Sequence, residues 1–231
     1  MDRSLKSLDV VYGGSLGADR QRVLRNTYAL LALSMIPTVL GAWVGLSFGF
    51  SLFAGSPLIS AIAFMAIAFG FFFAIEKFKH SGVGVLLLLG FTFFMGLMLS
   101  RLLGFVLGLS NGSQLIGMAF GGTAVIFAAM ATLSSTIKRD ISGMGKWLFV
   151  GALVLIVASL ANIWLQMPAL MLAISAMAVL IFSAFILYDL KRIMDGGETN
   201  YVTATLSVYL SVYNVFTALL QLFTGLGGSD D

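Results

Sequence analysis

The sequence predicts an all-α integral membrane protein of seven transmembrane helices. Three observations carry that prediction. Of 231 residues, 59% are apolar and only 10% are charged, against about 25% charged in an average soluble chain, so the charges that would cover a soluble surface are missing. The apolar residues fall into seven runs, each near the length of about 20 residues that a helix needs to cross the hydrocarbon. Twelve of the 13 Lys and Arg residues lie in the N-terminal arm and in alternate connections between those runs, as the retention of basic loops in the cytoplasm requires.

The N-terminal arm, residues 1–25, is polar and basic, with Arg3, Lys6, Arg20, Arg22 and Arg25. It lacks a sustained apolar face, so it is expected to stay cytoplasmic and without regular structure. Its polarity also sets it apart from a secretory signal, and the first span is expected to be retained. Spans are predicted over Thr27–Leu46, Leu58–Ile75, Val83–Leu99, Leu115–Ile137, Trp147–Leu165, Ala169–Tyr188 and Val202–Phe223. The third has apolar residues from Leu102 to Leu109 beyond Arg101, which predicts a long helix, a tilted one, or an added interfacial segment. Gln166-Met167-Pro168 is a very short turn between the fifth and sixth spans, because proline disfavours helix in the residue before it. Merging those spans would place Lys191 and Arg192 on the non-cytoplasmic side, which the charge pattern opposes. The result is a seven-helix domain over residues 26–224, N-terminus in and C-terminus out, with a short glycine-rich acidic tail at 225–231.

Several chemistries fail on residue types alone. With no cysteine in the chain, disulfides, thiolate catalysis and zinc-thiolate or iron-sulfur sites are absent. A retinal protein needs a Schiff-base lysine in the last span, and Val202–Phe223 has none. The lone histidine, His80, sits in a connection beside Glu76, Lys77 and Lys79, away from any serine that it could activate within the membrane. A net charge of +3 is too small to indicate nucleic-acid binding. Catalysis is not expected, and the partner that the composition does demand is the lipid bilayer.

Polar groups within the spans are the leads, since each is costly in lipid unless satisfied. Ser207, Ser211, Asn214 and Gln221 recur on one face of the last span; the stripe reads either as hydrogen bonding between helices or as the lining of a path. Asn162 and Gln166 of the fifth span admit the same two readings, with packing favoured. Asp189 ends the sixth span, three residues before Arg192. It is either an interfacial carboxylate paired with that arginine or a buried carboxylate that binds a cation or proton at the inner mouth. Four glycine pairs, at 41 and 45, 45 and 49, 104 and 108, and 117 and 121, have the small-xxx-small spacing of close helix approach and are read as packing.

Leu24-Arg25-Asn26-Thr27-Tyr28, Gly121-Gly122-Thr123-Ala124, the stretch from Leu160 through Asn162 and Gln166 to Pro168-Ala169-Leu170, Gly196-Gly197-Glu198-Thr199-Asn200-Tyr201, and Tyr209-Leu210-Ser211-Val212-Tyr213-Asn214 together resemble the bacterial YccA-like branch of the BAX inhibitor-1 family. The resemblance implies six helices around a central C-terminal helix, in the bacterial inner membrane. It implies two activities: a substrate and modulator of the membrane ATP-dependent FtsH protease, and a pH-sensitive calcium or proton leak gated by two aspartates. The first aspartate of that pair falls on Asp189; the second falls on Ser211, where serine replaces it. Such a pair senses pH because neighbouring carboxylates repel, and Ca2+ prefers 6 to 8 oxygens, so the broken pair weakens both properties here. No resident cofactor is implied; Ca2+ at Asp189 is the metal that the resemblance admits.

Overall fold

The computed structural model describes residues 2–49 and 57–227. Its described residues form seven helices: α1 (Asp2–Ser47), α2 (Pro57–Phe78), α3 (Gly82–Leu107), α4 (Gly112–Thr136), α5 (Met144–Leu165), α6 (Pro168–Met194) and α7 (Tyr201–Gly227). Each contains a stretch long and apolar enough to cross a membrane. The arm, expected to lack regular structure, is instead helical and continuous with the first span from Asp2. Once an apolar span has formed, each residue added before it needs only propagation and no new nucleus. No proline interrupts the chain before Pro37. The third span takes the long form, 26 residues to Leu107. Arg101 lies about 28 Å along it from Gly82 at about 1.5 Å per residue, near the far interface of a hydrocarbon layer of about 30 Å. The acidic tail after Gly227 lies outside the described residues.

The turn between α5 and α6 has a definite construction. Gln166 adopts a left-handed conformation, φ 49°, and its N–H donates to the Asn162 carbonyl at 2.8 Å. The Asn162 side-chain oxygen then accepts the Met167 N–H at 3.1 Å. Pro168 opens α6, a position where its missing N–H costs nothing. Asn162 thus serves the end of its own helix.

Helix α7 contacts α1, α2, α3, α4 and α6, while α5 packs against α6. The most extensive pair is α1 with α3. There a Cβ on Gly41 would fall onto the Phe93 carbonyl oxygen, and one on Gly96 onto the Thr38 carbonyl oxygen. Gly45 meets the Ser100 side chain in the same way. Backbone therefore lies on backbone, the arrangement that small residues permit in lipid. Phenylalanines join α2 to α3: Phe64 stacks on Phe94 with centroids 5.9 Å apart, and Phe72 meets Phe91 edge-on at 5.3 Å. The buried hydroxyls of Thr27, Ser34, Thr38 and Thr123 each donate to a carbonyl one turn back in their own helix. Lipid offers these groups no water, so local bonds satisfy them.

Candidate functional site

The basic end of the bundle is organised by the loop between α6 and α7. Asp195 and Gly196 close α6, with Gly196 at φ 81°, and the Gly197 N–H donates to the Arg192 carbonyl at 2.8 Å. A side chain at Gly196 would be strained by its backbone and would also meet Arg20 of α1, 2.7 Å from a Cβ. Glu198 then accepts the N–H groups of Thr199 and Asn200, both at 3.0 Å, through one oxygen. Its other oxygen faces Arg192 at 3.7 Å. Asn200 caps α7: its side-chain oxygen accepts the Val202 N–H at 2.8 Å and the Thr203 N–H at 3.2 Å. The amide nitrogen of the same side chain donates to the Lys79 carbonyl at 2.9 Å, which pins the start of α7 to the connection between α2 and α3. Its burial, 8% exposed, keeps water from substituting for those bonds.

Between this loop and residues 19–26 of α1 lies a cleft of about 470 Å³, bordered by Arg20, Arg22, Asn26, Glu198, Thr199 and Tyr201. Charges of both signs line it, so it favours no simple anion or cation.

Asp189 is half-buried on α6. The pairing with Arg192 that its spacing allows is not the one observed, because Arg192 is drawn to Glu198 and to the Gly197 carbonyl, 3.2 Å from its Nε. No hydrogen bond or ion pair reaches the Asp189 carboxylate among the described residues. Tyr188, its neighbour, packs against Gly145 of α5. Along the helices, Asp189 is about 8 Å from the end of α6, whereas Ser211 is about 15 Å and Ser207 about 9 Å from the start of α7, at about 1.5 Å per residue. The stripe residue level with Asp189 is therefore Ser207, and Ser211 sits deeper.

The stripe itself is largely satisfied from within α7. Ser211 is 4% exposed and donates to the Ser207 carbonyl at 3.1 Å; Asn214 donates to the Leu210 carbonyl at 2.8 Å. Gln221 makes the bond between helices, accepting from Ser175 of α6 at 2.9 Å. Among the described residues, no group of three His, Cys, Asp or Glu is placed to hold a metal ion. A Ca2+ ion at Asp189 would need most of its oxygens from carbonyls, hydroxyls and water.

Sequence reasoning did not single out Asn200, Glu198 or Tyr209 as structural anchors. Asn200 had a signal: an asparagine directly before an apolar helical run is a helix start. Asn200→Ala is expected to lower stability by about 2 kcal/mol, combining a lost cap with the lost bond to the Lys79 carbonyl. Asn200→Asp keeps the cap acceptor and loses only the donor, so its loss should be smaller. Unfolding midpoints of the three proteins in one detergent check this order.

The seven long apolar helices define the class: a multi-pass helical membrane protein. The chain belongs to the BAX inhibitor-1 family, because the family model described as "Inhibitor of apoptosis-promoting Bax1" matches residues 20–228. It is 37% identical over 201 residues to an Escherichia coli K12 protein named "Modulator of FtsH protease YccA", with 87% of this chain and 89% of the relative covered. The same identity and coverage hold for the E. coli CFT073 protein named "Inner membrane protein YccA". An uncharacterised protein of Neisseria meningitidis serogroup A is 38% identical over 213 residues, 91% of this chain and 94% of the relative. The family resemblance read from the motifs is thus the family found.

Proposed function

We propose that this chain is an inner-membrane modulator and substrate of a membrane ATP-dependent protease of the FtsH type, inserted with its N-terminus in the cytoplasm, its C-terminus outside and α7 as the axis of the bundle. The observation that carries the reading is the similarity, over 87% of this chain, to the relative named as a modulator of that protease. The charge pattern supports the orientation, since Arg101 is the one basic residue on the opposite side. The arm supports the substrate role. Residues 2–16 prolong α1 by about 22 Å beyond its candidate span, at about 1.5 Å per residue. An isolated helix that short is marginal in water, so an ATP-driven protease can unwind it and grip it as an unfolded end.

Deleting residues 2–16 is expected to slow degradation severalfold and to reduce co-purification with the protease, while the remaining bundle stays folded. Equal recovery and equal turnover of the two proteins would sink the arm's role.

A second reading is favoured by one observation, the half-buried Asp189 without an ion pair. It makes the protein a cation or proton leak, with Asp189 at the cytoplasmic mouth and Ser207, Ser211 and Asn214 further in. Purified protein in liposomes would then pass Ca2+, Asp189→Asn would change the flux, and Ser211→Asp, which restores the second carboxylate, would steepen its pH dependence. Flux no greater than that of empty liposomes for all three proteins removes this reading.

A further inference from the structure

Helices α1 and α4 each pack against α7 but barely against each other. Between them runs a groove of about 750 Å³. Its α1 wall extends from Tyr28 to Val39 and its α4 wall from Phe120 to Ala131, with Tyr209, Tyr213 and Phe216 of α7 as the floor. Four of the five side-chain hydroxyls in that lining are already engaged. Tyr209 is bonded to Thr38 at 2.8 Å, Tyr213 donates to the Met95 carbonyl at 3.2 Å, and Thr123 donates to the Ala119 carbonyl at 2.7 Å. Apart from the Tyr28 hydroxyl, what remains facing the groove is apolar.

Two features say what fits there. The first is length: Tyr28 to Val39 covers about 16 Å at about 1.5 Å per residue, the depth of one leaflet's hydrocarbon, about half of 30 Å. A partner helix would need a groove through both leaflets. The second is charge. Arg25 precedes Tyr28 by one turn on the same face of α1, and Lys138 and Arg139 follow the end of α4 at Thr136. All three are exposed, and none has an ion pair or hydrogen bond among the described residues. The half-buried Tyr28, whose ring meets Phe127 edge-on at 6.1 Å, also has a hydroxyl without a hydrogen-bond partner among the described residues. Cations therefore stand at one end of an apolar slot one leaflet deep, with a free hydroxyl just inside.

We propose that this groove binds an anionic glycerophospholipid of the leaflet at the basic end. One acyl chain lies between α1 and α4 over the tyrosines of α7, the phosphate sits among Arg25, Lys138 and Arg139, and the Tyr28 hydroxyl stands at the level of the ester groups. The inference is independent of protease binding and of ion flux.

The test uses the full-length purified protein in a neutral detergent, with bound phosphatidylglycerol and phosphatidylethanolamine counted by native mass spectrometry. Phosphatidylglycerol is expected to be retained at least about tenfold better. Arg25→Gln and Lys138→Gln, both at exposed positions that folding does not need, are each expected to lower its retention about fivefold, the equivalent of about 1 kcal/mol per basic residue near an anionic headgroup. Ala124→Trp, which fills the groove from the α4 side, is expected to abolish retention of both lipids. Equal retention of the two lipids, or phosphatidylglycerol retention unchanged by Arg25→Gln and Lys138→Gln, overturns the proposal. So does unchanged retention in Ala124→Trp accompanied by loss of a co-purifying membrane protein, which would assign the groove to a helix.

Discussion

Gly96→Leu is expected to destabilise the bundle by at least about 3 kcal/mol, at the upper end of the range for forcing extra volume into a packed interior. Gly117→Leu should stay within about 0.5 kcal/mol of the parent, as substitutions away from packed features do. Both positions belong to helices of similar length and composition, and only their surroundings differ. At Gly96 the new Cβ would land on the Thr38 carbonyl oxygen of α1, while Gly117 has nothing within 4 Å. A backbone oxygen cannot rotate away as a side chain can, so α1 and α3 would have to separate along the most extensive helix pair in the bundle. Gly41→Leu should match Gly96→Leu, since it meets the Phe93 carbonyl from the other side. Thermal unfolding in a single detergent measures all three. A Gly96→Leu midpoint no lower than that of Gly117→Leu would show that the two helices do not depend on this approach.

That contrast also marks what the sequence could disclose. Span number and position were legible because the hydrocarbon imposes a length and a composition on every crossing. The glycine spacing was legible only as a pattern. Of the four pairs with the same interval, 41 and 45 press against α3, while 117 and 121 lie open and Gly49 is a turn residue at φ 58°. Which face of a helix meets a neighbour is a property of tertiary arrangement, and the interval alone does not contain it.

The candidate site shows the same limit. Asp189 was visible as a carboxylate at the end of an apolar run, and Arg192 three residues later as a partner within reach. The loop decides otherwise, because Glu198 approaches Arg192 only after Gly196 has turned the chain back. Likewise the polar face of α7 was visible, but hydroxyls and amides that bond to their own helix leave no trace in spacing. The arm differed for another reason: composition reports whether a segment can bury an apolar face, and a helix extended from a neighbouring span needs no such face.

Tyr209→Ala carries the second large effect, about 3–4 kcal/mol, and comparison with Tyr209→Phe separates its parts. Tyr209 is 1% exposed, its ring edge-on to Phe91 at 6.3 Å. Lipid already solvates apolar groups, so truncation costs little transfer energy and the loss is mainly the cavity, about 2–3 kcal/mol at about 24 cal/mol per Å³. The hydroxyl adds about 1 kcal/mol. Thr38 donates to the Ser34 carbonyl at 2.8 Å, so the short bond between Thr38 and Tyr209 takes its proton from the tyrosine, with the Thr92 carbonyl a second, longer acceptor at 3.5 Å. Removing that hydroxyl strands neither partner, and Tyr209→Phe should lose only about 1 kcal/mol. The tie falls where α1 is weakest, because Pro37 cannot donate to the carbonyl one turn back and Thr38 is the next residue. Tyr209 is also two residues from Ser211, so it sets the register of the polar face of α7. Tyr209→Phe should therefore keep both the fold and whichever activity that face supports. Tyr209→Ala should lose stability and change that activity together. If Tyr209→Phe proved as unstable as Tyr209→Ala, the hydroxyl tie to α1, rather than the ring, would be holding α7 in place.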